Sequence, residues 1–185
     1  MNKFRGFIAI DIKAVTKVIE FQNEIRNTGA NIKIVEPENI HITLKFLGET
    51  EESLIDKIND IIKESVKGIT PFEVTLKDTG VFPNENYIKV IWIGIEKFEE
   101  IRDIANNIDE KLINLGFKKE KRKFSPHITI ARVKSAKNKE NLIQVINKFQ
   151  DVEFTKFSVN SIKLKKSELT KKGPIYTTLK EIEIK

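Results

Sequence analysis

The chain has 185 residues, of which 39% are hydrophobic and 32% are charged, and its formal net charge is +6 at pH 7. This length suits one globular domain or two small lobes with a shared core, and the hydrophobic content is enough to bury that core. The absence of cysteine excludes disulfides and thiolate catalysis, and no apolar run approaches the length of a membrane span. We therefore expect one unit over residues 1–185 that has no membrane association.

The beginning of the chain predicts a strand and not an export signal, because the apolar stretch 7–10 is short and is followed by Asp11. A cytoplasmic location is expected on that ground. The positive charge favours polyanionic partners such as RNA, although the basic residues are spread along the whole chain. The densest basic run, residues 118–123, has two interpretations: a solvated loop, or a surface that attracts a phosphate backbone.

Hydrophobic periodicity predicts alternating strands and helices along the chain. In the first half, strands are predicted at 4–12, 32–35, 40–47, 72–76 and 87–95, helices at 15–25 and 54–62, and a loop at 80–86. In the second half, helices are predicted at 98–115 and 142–149, and strands at 127–133, 152–165 and 175–184. The two halves resemble each other only in one strand each, which suggests a duplication without establishing it.

The chain contains two histidines, and both have the same local sequence: His-Ile-Thr-Leu at 41–44 and His-Ile-Thr-Ile at 127–130. With 12 threonines in the chain, the chance that Thr follows two positions after both histidines is about 0.4%. Successive side chains of a strand point to opposite faces, so each His shares a face with its Thr. If the two strands line one cleft, two imidazoles and two hydroxyls converge in a small volume.

Two converging imidazoles suit general acid–base catalysis, because near neutral pH one can accept a proton while the other donates one. The hydroxyls of Thr43 and Thr129 can donate to nonbridging phosphate oxygens, which together favours hydrolysis of a phosphodiester. Neither motif contains a carboxylate or a second histidine, so we expect no catalytic metal and no other cofactor. A single histidine in a strand is more often structural, but the repeated context favours a functional pair, His41 and His127.

The two histidine motifs belong to longer segments that resemble a known family. These segments are a first strand at 4–11, a first signature at 37–48, a second signature at 124–132, and a closing region at 167–169 and 173–176. They occur in the family's order and span nearly the whole chain. On these residues the chain resembles the two-histidine phosphoesterase superfamily and, within it, the LigT-like RNA 2′,3′-cyclic phosphodiesterases.

The resemblance implies an α+β, bilobal fold, in which two antiparallel sheets related by a pseudo-twofold axis flank a central cleft, with helices on the outside. It also implies metal-independent hydrolysis of an RNA terminal 2′,3′-cyclic phosphate to a 2′-phosphomonoester. In this scheme His41 is the proton donor to the departing 3′ oxygen and His127 is the proton acceptor that activates water, while Thr43 and Thr129 hold the phosphate. The near-symmetry of the motifs does not by itself assign the acid and the base.

Four further residues are candidates near this site. Arg132 matches the family's cation at the phosphate, but a regular strand places it on the face opposite to His127. Its participation therefore needs a β-bulge, a strand end or reach around the edge of the strand; the alternative is a structural salt bridge. Phe124 is a candidate for stacking on a base or for the core, and Tyr176 is a candidate for lining the cleft. Lys45 is four residues after His41, so a regular strand places it on the same face; the alternative is that its side chain reaches into solvent.

Two other functions remain open from the sequence. Within the superfamily, the enzyme would act on small cyclic nucleotides or join RNA ends through a 2′,5′ linkage. In another class, the chain would be a non-catalytic RNA- or nucleotide-binding module with salt-dependent binding and no turnover. Our leading expectation is a monomer whose partner is RNA with a 2′,3′-cyclic phosphate end.

Overall fold

Strands and helices alternate along the chain as the hydrophobic periodicity predicts. The computed structural model describes residues 2–171 and 173–185. Within these residues the strands are β1 (Lys3–Asp11), β2 (Ile32–Ile34), β3 (His41–Glu51), β4 (Phe72–Asn84), β5 (Tyr87–Glu96), β6 (His127–Val133), β7 (Glu153–Val159), β8 (Ser161–Leu169) and β9 (Pro174–Glu183). The α-helices are α1 (Thr16–Asn27), α2 (Ile55–Ser65), α3 (Glu99–Leu112) and α4 (Lys139–Lys148). The expected α+β class is confirmed.

The strands pair antiparallel in the order β7-β4-β5-β6-β3-β1-β8-β9, and β2 pairs with β6 beside this path. The two histidine strands, β3 and β6, are neighbours in the middle and pair at Ile42 and Ile128. We call β3, β1, β8 and β9 the terminal lobe, and β6, β5, β4, β7 and β2 the middle lobe. The expected pair of antiparallel sheets flanking a cleft is therefore present as two lobes of one curled sheet.

The two lobes are not consecutive halves of the chain. The terminal lobe combines strands from before residue 52 with strands from after residue 160, and the middle lobe contains the strands between them together with β2. Each lobe nevertheless contributes one histidine strand to the junction. The arrangement allows the two motifs, which are distant in sequence, to become neighbours in the sheet.

Helices cover the face of the sheet that is opposite to the histidines. Helices α1 and α4 contact the middle lobe, and α2 and α3 contact the terminal lobe. Each helix buries apolar residues at helical spacing, for example Val18, Phe21 and Ile25 in α1. None of the helices in the described residues is both long and apolar enough to cross a membrane.

A row of four isoleucines crosses the junction between the lobes on the helix-covered face. Ile10, Ile42, Ile128 and Ile93 are in register across β1, β3, β6 and β5, and each is at most 2% exposed. Burying an isoleucine side chain contributes about 1.5–3 kcal/mol to the stability of the fold. The middle residue of each histidine motif thus holds the two lobes together, while the residues on either side of it face the cleft.

A β-bulge in β3 explains why Lys45 does not share the face of the histidines. Between Thr43 and Lys45, β3 advances by two residues while β1 advances only from Ala9 to Ile8. The extra residue reverses the alternation of faces beyond it. The prediction that Lys45 lies on the histidine face or in solvent is wrong for this reason.

Lys45 is instead buried under the helices, where it orders the basic loop. Its side chain is 8% exposed, and its ammonium forms an ion pair with Asp109 of α3 and donates to the carbonyl of Lys118 at 2.8 Å. The carboxylate of Asp109 also accepts a hydrogen bond from the backbone N–H of Glu120. The pair thereby fixes the first part of the run 118–123, whose residues Lys121 to Lys123 are exposed.

Two boundaries differ from the sequence prediction for identifiable reasons. The strand predicted at 152–165 is two strands, β7 and β8, which separate at Asn160 and join opposite lobes. The loop predicted at 80–86 is largely strand, because β4 continues to Asn84 and turns directly into β5. Gly80 suits this strand since the ring of Trp92 lies where its side chain would be: a Cβ atom there would be 2.2 Å from Cζ2 of Trp92.

We expect Lys45→Met to lower the free energy of unfolding by about 3 kcal/mol, because it leaves the carboxylate of Asp109 nearly buried without its counter-ion. Urea denaturation followed by circular dichroism measures this change. The double variant Lys45→Met/Asp109→Leu removes both charges and should recover at least half of the loss. A double variant less stable than the single one would contradict the assignment of the cost to an unpaired charge.

Candidate active site

The four polar side chains of the two motifs form a rectangle on one face of the sheet. Antiparallel pairing at the central isoleucines places His41 beside Thr129 and Thr43 beside His127. The imidazoles therefore occupy one diagonal and the hydroxyls the other. Diagonal neighbours of this kind are about 7–8 Å apart, which leaves room for one phosphate group between the imidazoles. The strands thus bring these four residues together on a single face, in the way that strand parity predicts.

The backbone before each motif fixes the orientation and the tautomer of its imidazole. Nδ1 of His41 lies 2.7 Å from the carbonyl oxygen of Asn39, and Nδ1 of His127 lies 2.8 Å from that of Ser125. A carbonyl oxygen only accepts hydrogen bonds, so each Nδ1 carries a hydrogen. In both histidines Nε2 is therefore the nitrogen that remains for exchanging a proton with a ligand.

Aromatic rings hold both imidazoles in place. The ring of His41 lies 5.1 Å from Phe7 and 5.4 Å from Tyr176, and it is perpendicular to the latter. The ring of His127 lies 5.0 Å from Phe82 in an edge-on arrangement. Such contacts restrict ring rotation and exclude water from one side of each imidazole. They explain why both histidines are only partly exposed although they lie in a cleft.

A group of three charges lies beside His41. Asp11 is its in-register neighbour on β1, and the Asp11 carboxylate accepts hydrogen bonds from Nζ of Lys165 at 2.6 Å and Nζ of Lys163 at 3.1 Å. Burial alone would raise the pKa of the Asp11 carboxyl, but the two lysines outweigh it and lower that pKa. Lys165 is only 5% exposed, so its charge lies within the wall of the cleft.

The pKa values of both imidazoles are lowered, chiefly by burial, and at His41 neighbouring charges act as well. At His41 the backbone hydrogen bond and Asp11 raise the pKa, while Lys165 and His127 lower it. At His127 the remaining influence is its backbone hydrogen bond, which raises the pKa. Gly94 is the in-register neighbour of His127 on β5, in the place that Asp11 takes beside His41.

A second β-bulge places Arg132 on the histidine face. Between Thr129 and Ala131, β6 advances by two residues while β5 advances by one, so the faces are exchanged beyond this point. Arg132 is exposed, and its charge opposes the effect of burial, which raises the pKa of the Tyr176 hydroxyl. The bulge that Arg132 requires to reach the cleft is thus present, and within the described residues its guanidinium forms no salt bridge.

The two aromatic candidates have different positions. Tyr176 lies in the cleft, where its ring contacts His41 and Phe7. Phe124 is half-buried and packs against the hydrophobic core, which is the core alternative predicted for it. The structure thus places Tyr176 beside the imidazole of His41 and Phe124 among the core residues.

Sequence reasoning missed several residues of the cleft face, among them Phe46 and Lys165. Phe46 is in register with Phe7 on the histidine face and is 70% exposed, because the bulge in β3 reverses its orientation. Lys165 alternates with apolar residues in β8, a pattern typical of a solvent-facing row, yet that row faces the cleft. The alternation of lysine with apolar residues was visible in the sequence, but the strand with which β8 pairs was not.

The motif face is an open cleft and not an enclosed cavity. Two grooves of about 620 and 740 Å³ lie on the surface; neither is lined by a histidine, although the first includes Phe46 and the second includes Asp11 and Lys163. Residues 2–171 and 173–185 contain no group of three or more His, Asp or Glu side chains placed to hold a metal ion. What the cleft does contain is two imidazoles on one diagonal, two threonine hydroxyls on the other, and the exposed Arg132 on the same face.

Comparison with known proteins shows close relatives along the whole chain. The model of the AKAP7 2′5′ RNA ligase-like domain matches residues 7–184. A protein of Methanocaldococcus jannaschii named RNA 2′,3′-cyclic phosphodiesterase is 48% identical over 179 residues, which cover 96% of this chain and 99% of the relative. A protein of the same name from Methanothermobacter thermautotrophicus is 38% identical over 179 residues, covering 96% and 97%.

Solved structures with the same fold include two bacterial proteins. The protein TT0787 of Thermus thermophilus has a TM-score of 0.82 at 28% identity, with 97% of both chains covered. LigT of E. coli in its apo form has a TM-score of 0.72 at 23% identity, with 100% of this chain and 99% of LigT covered. At 23% identity, the likeness to LigT shows the fold alone.

We expect both histidines to titrate below the ordinary imidazole pKa of about 6.5, since burial disfavours the charged form in each. Two histidines give two ring C2–H signals in an NMR titration, and a His→Gln variant assigns each of them. A midpoint at or above the ordinary value for either residue in the ligand-free protein would contradict this environment.

Lys165→Met should raise the pKa of His41 and change that of His127 less, because it removes a positive charge that disfavours the His41 imidazolium. Asp11 keeps Lys163 as its partner in this variant. The matched control is Lys166→Met, which removes the same charge from the adjacent residue on the other face of β8. The same NMR titration measures both variants, and equal shifts of His41 in the two would refute a specific role for Lys165.

Proposed function

Since the chain belongs to the AKAP7 2′5′ RNA ligase-like family, within the LigT-like two-histidine phosphoesterases, we propose that it hydrolyses the 2′,3′-cyclic phosphate at an RNA end to a 2′-phosphomonoester. The observation that carries the proposal is the rectangle of His41, Thr43, His127 and Thr129. Imidazoles on one diagonal and hydroxyls on the other match the demands of phosphodiester hydrolysis.

The diagonal of the imidazoles fits an in-line displacement at phosphorus. The oxygen of the attacking water and the departing 3′ oxygen lie on opposite sides of the phosphorus atom, and so do the two Nε2 atoms. His127 accepts a proton from water as the new P–O bond forms. His41 donates a proton to the 3′ oxygen as the P–O3′ bond breaks. Exchange of one proton with solvent at each imidazole then restores the starting state.

The other diagonal fits the phosphate itself. A cyclic phosphodiester has two nonbridging oxygens, and the hydroxyls of Thr43 and Thr129 can donate one hydrogen bond to each. The guanidinium of Arg132 lies on the same face and stabilises the negative charge that accumulates in the transition state. The two imidazoles supply both proton transfers, so the proposed mechanism requires no metal ion or other cofactor.

The assignment of His41 as donor and His127 as acceptor follows the family resemblance. The charges beside His41 do not decide it, because Asp11 favours the imidazolium and Lys165 disfavours it. A bound phosphate anion between the rings raises both imidazole pKa values, and this favours the protonated donor in the complex.

RNA is the proposed substrate on the grounds of the relatives' names, the net charge of +6, and the exposed ring of Phe46 on the cleft face. An exposed aromatic ring can stack on a nucleobase of any identity. All residues of the proposed site come from one chain, so a monomer is sufficient for the activity.

His41→Ala and His127→Ala should each lower kcat for a short RNA with a 2′,3′-cyclic phosphate end by about 1,000-fold, because each removes one proton transfer. The double variant should lose little more than either single variant, since the two residues act in one step. Chromatography of the products, with a chelator present, measures the rate and identifies the 2′-phosphomonoester. The wild-type rate should follow a bell-shaped pH profile.

Thr43→Val and Thr129→Val should each lower kcat by about 10-fold or more, because each removes a hydrogen-bond donor to the phosphate. The matched control is Thr155→Val, which makes the same change on a strand at the edge of the middle lobe. Near wild-type turnover in either histidine variant would refute the mechanism. Tight, salt-dependent RNA binding without turnover would favour the binding module. Accumulation of 2′,5′-linked RNA from two fragments would favour the ligase.

A further inference from the structure

Two of the five arginines have no partner for their guanidinium groups in the described residues, and both lie at the cleft. Three others are satisfied: Arg26 bonds to Asn23, Arg102 to Asp103 and Arg122 to Glu120. The remaining two, Arg5 and Arg132, both lie close enough to Tyr176 for their charges to act on its hydroxyl. Arg132 is part of the proposed phosphate site, whereas Arg5 has no place in the mechanism.

Strand geometry places Arg5 on the same face as the motifs but farther along the cleft. Phe7 contacts His41, and Arg5 is two residues before it on β1, so both point to the same side. Ala9 is in register with Thr43, and Arg5 lies four residues before Ala9, about 13 Å along the strand. An extended arginine side chain covers about half of that distance.

Phe46 lies between Arg5 and the proposed phosphate site. It is in register with Phe7, which is the residue midway between Arg5 and Ala9, and its ring is 70% exposed. The cleft face therefore carries a phosphate site, then an aromatic ring, then a guanidinium. RNA has the same order of groups: a terminal phosphate, a nucleoside, and the phosphodiester that joins it to the preceding nucleotide.

We propose that Arg5 binds the phosphodiester on the 5′ side of the terminal nucleotide and thereby selects an RNA end over a free mononucleotide. This inference rests on the proposed function for the position of the cyclic phosphate. A guanidinium offers two parallel N–H donors to a phosphate. Glu49 is in register with Arg5 on β3, yet the two form no salt bridge in the described structure, so the guanidinium is not already held by that carboxylate.

Substrates with and without this phosphodiester and the nucleoside that it carries test the proposal. The longer substrate is diadenosine ApA with a 2′,3′-cyclic phosphate, and the shorter one is adenosine 2′,3′-cyclic phosphate. Arg5→Gln should lower kcat/KM on the dinucleotide about 10-fold, mainly through KM, and change the mononucleotide by less than 2-fold. Arg5→Lys should restore part of the loss. The dependence of KM on salt should weaken for the dinucleotide alone.

The matched control is Arg102→Gln, which removes an exposed guanidinium from helix α3 on the other face of the sheet and should affect neither substrate. Equal losses on both substrates, or no loss on either, would overturn the role of Arg5. Binding of the 2′-phosphorylated products by calorimetry gives a readout that does not need turnover. If the wild type hydrolyses neither substrate, the proposed function fails, and the affinity difference between dinucleotide and mononucleotide products still decides the role of Arg5.

Discussion

The backbone pairing of Ile42 with Ile128 sets the geometry of everything in the cleft. It joins two lobes that are otherwise built from different strands, and it fixes which residue of one motif stands beside which residue of the other. Side chains alternate with a period of two, so a slip of one residue in either strand would turn that strand's His and Thr toward the helices. Both isoleucines are 0% exposed, and their burial opposes such a slip.

The two motifs are symmetric in backbone but not in charge. Each histidine follows a turn whose carbonyl holds Nδ1, and each strand bulges three residues after its histidine. Beyond the bulge the lobes differ: Phe46 occupies the place that Arg132 takes in the other strand. Likewise, Asp11 and its lysines adjoin one imidazole, while Gly94 adjoins the other. Equivalent scaffolds thus place a base-sized apolar surface on one side and a cation on the other.

The sequence predicted the elements and the motif faces because periodicity and strand parity are local properties. The shared faces of His41 and Thr43, and of His127 and Thr129, required nothing beyond a strand. The orientation of Lys45 could not be obtained this way, because a bulge depends on how the neighbouring strand advances. A β-bulge at the equivalent position of β6 brings Arg132 to the cleft. The charges beside His41 were also out of reach, because Lys165 is about 120 residues away and becomes its neighbour only through β8 and β1.

The interleaved lobes have a consequence for protein synthesis. β1 pairs with β8 through Gly6 and Lys166, so β1 must wait until β8 has been made before its second edge is covered. Such distant pairing closes a long loop, which slows folding and leaves β1 with an open edge on the ribosome. The wall of the cleft around His41 needs Lys165 and Tyr176, which emerge late. A growing chain therefore acquires a complete cleft only after Tyr176 has emerged, and the proposed hydrolysis has no assembled site before that point.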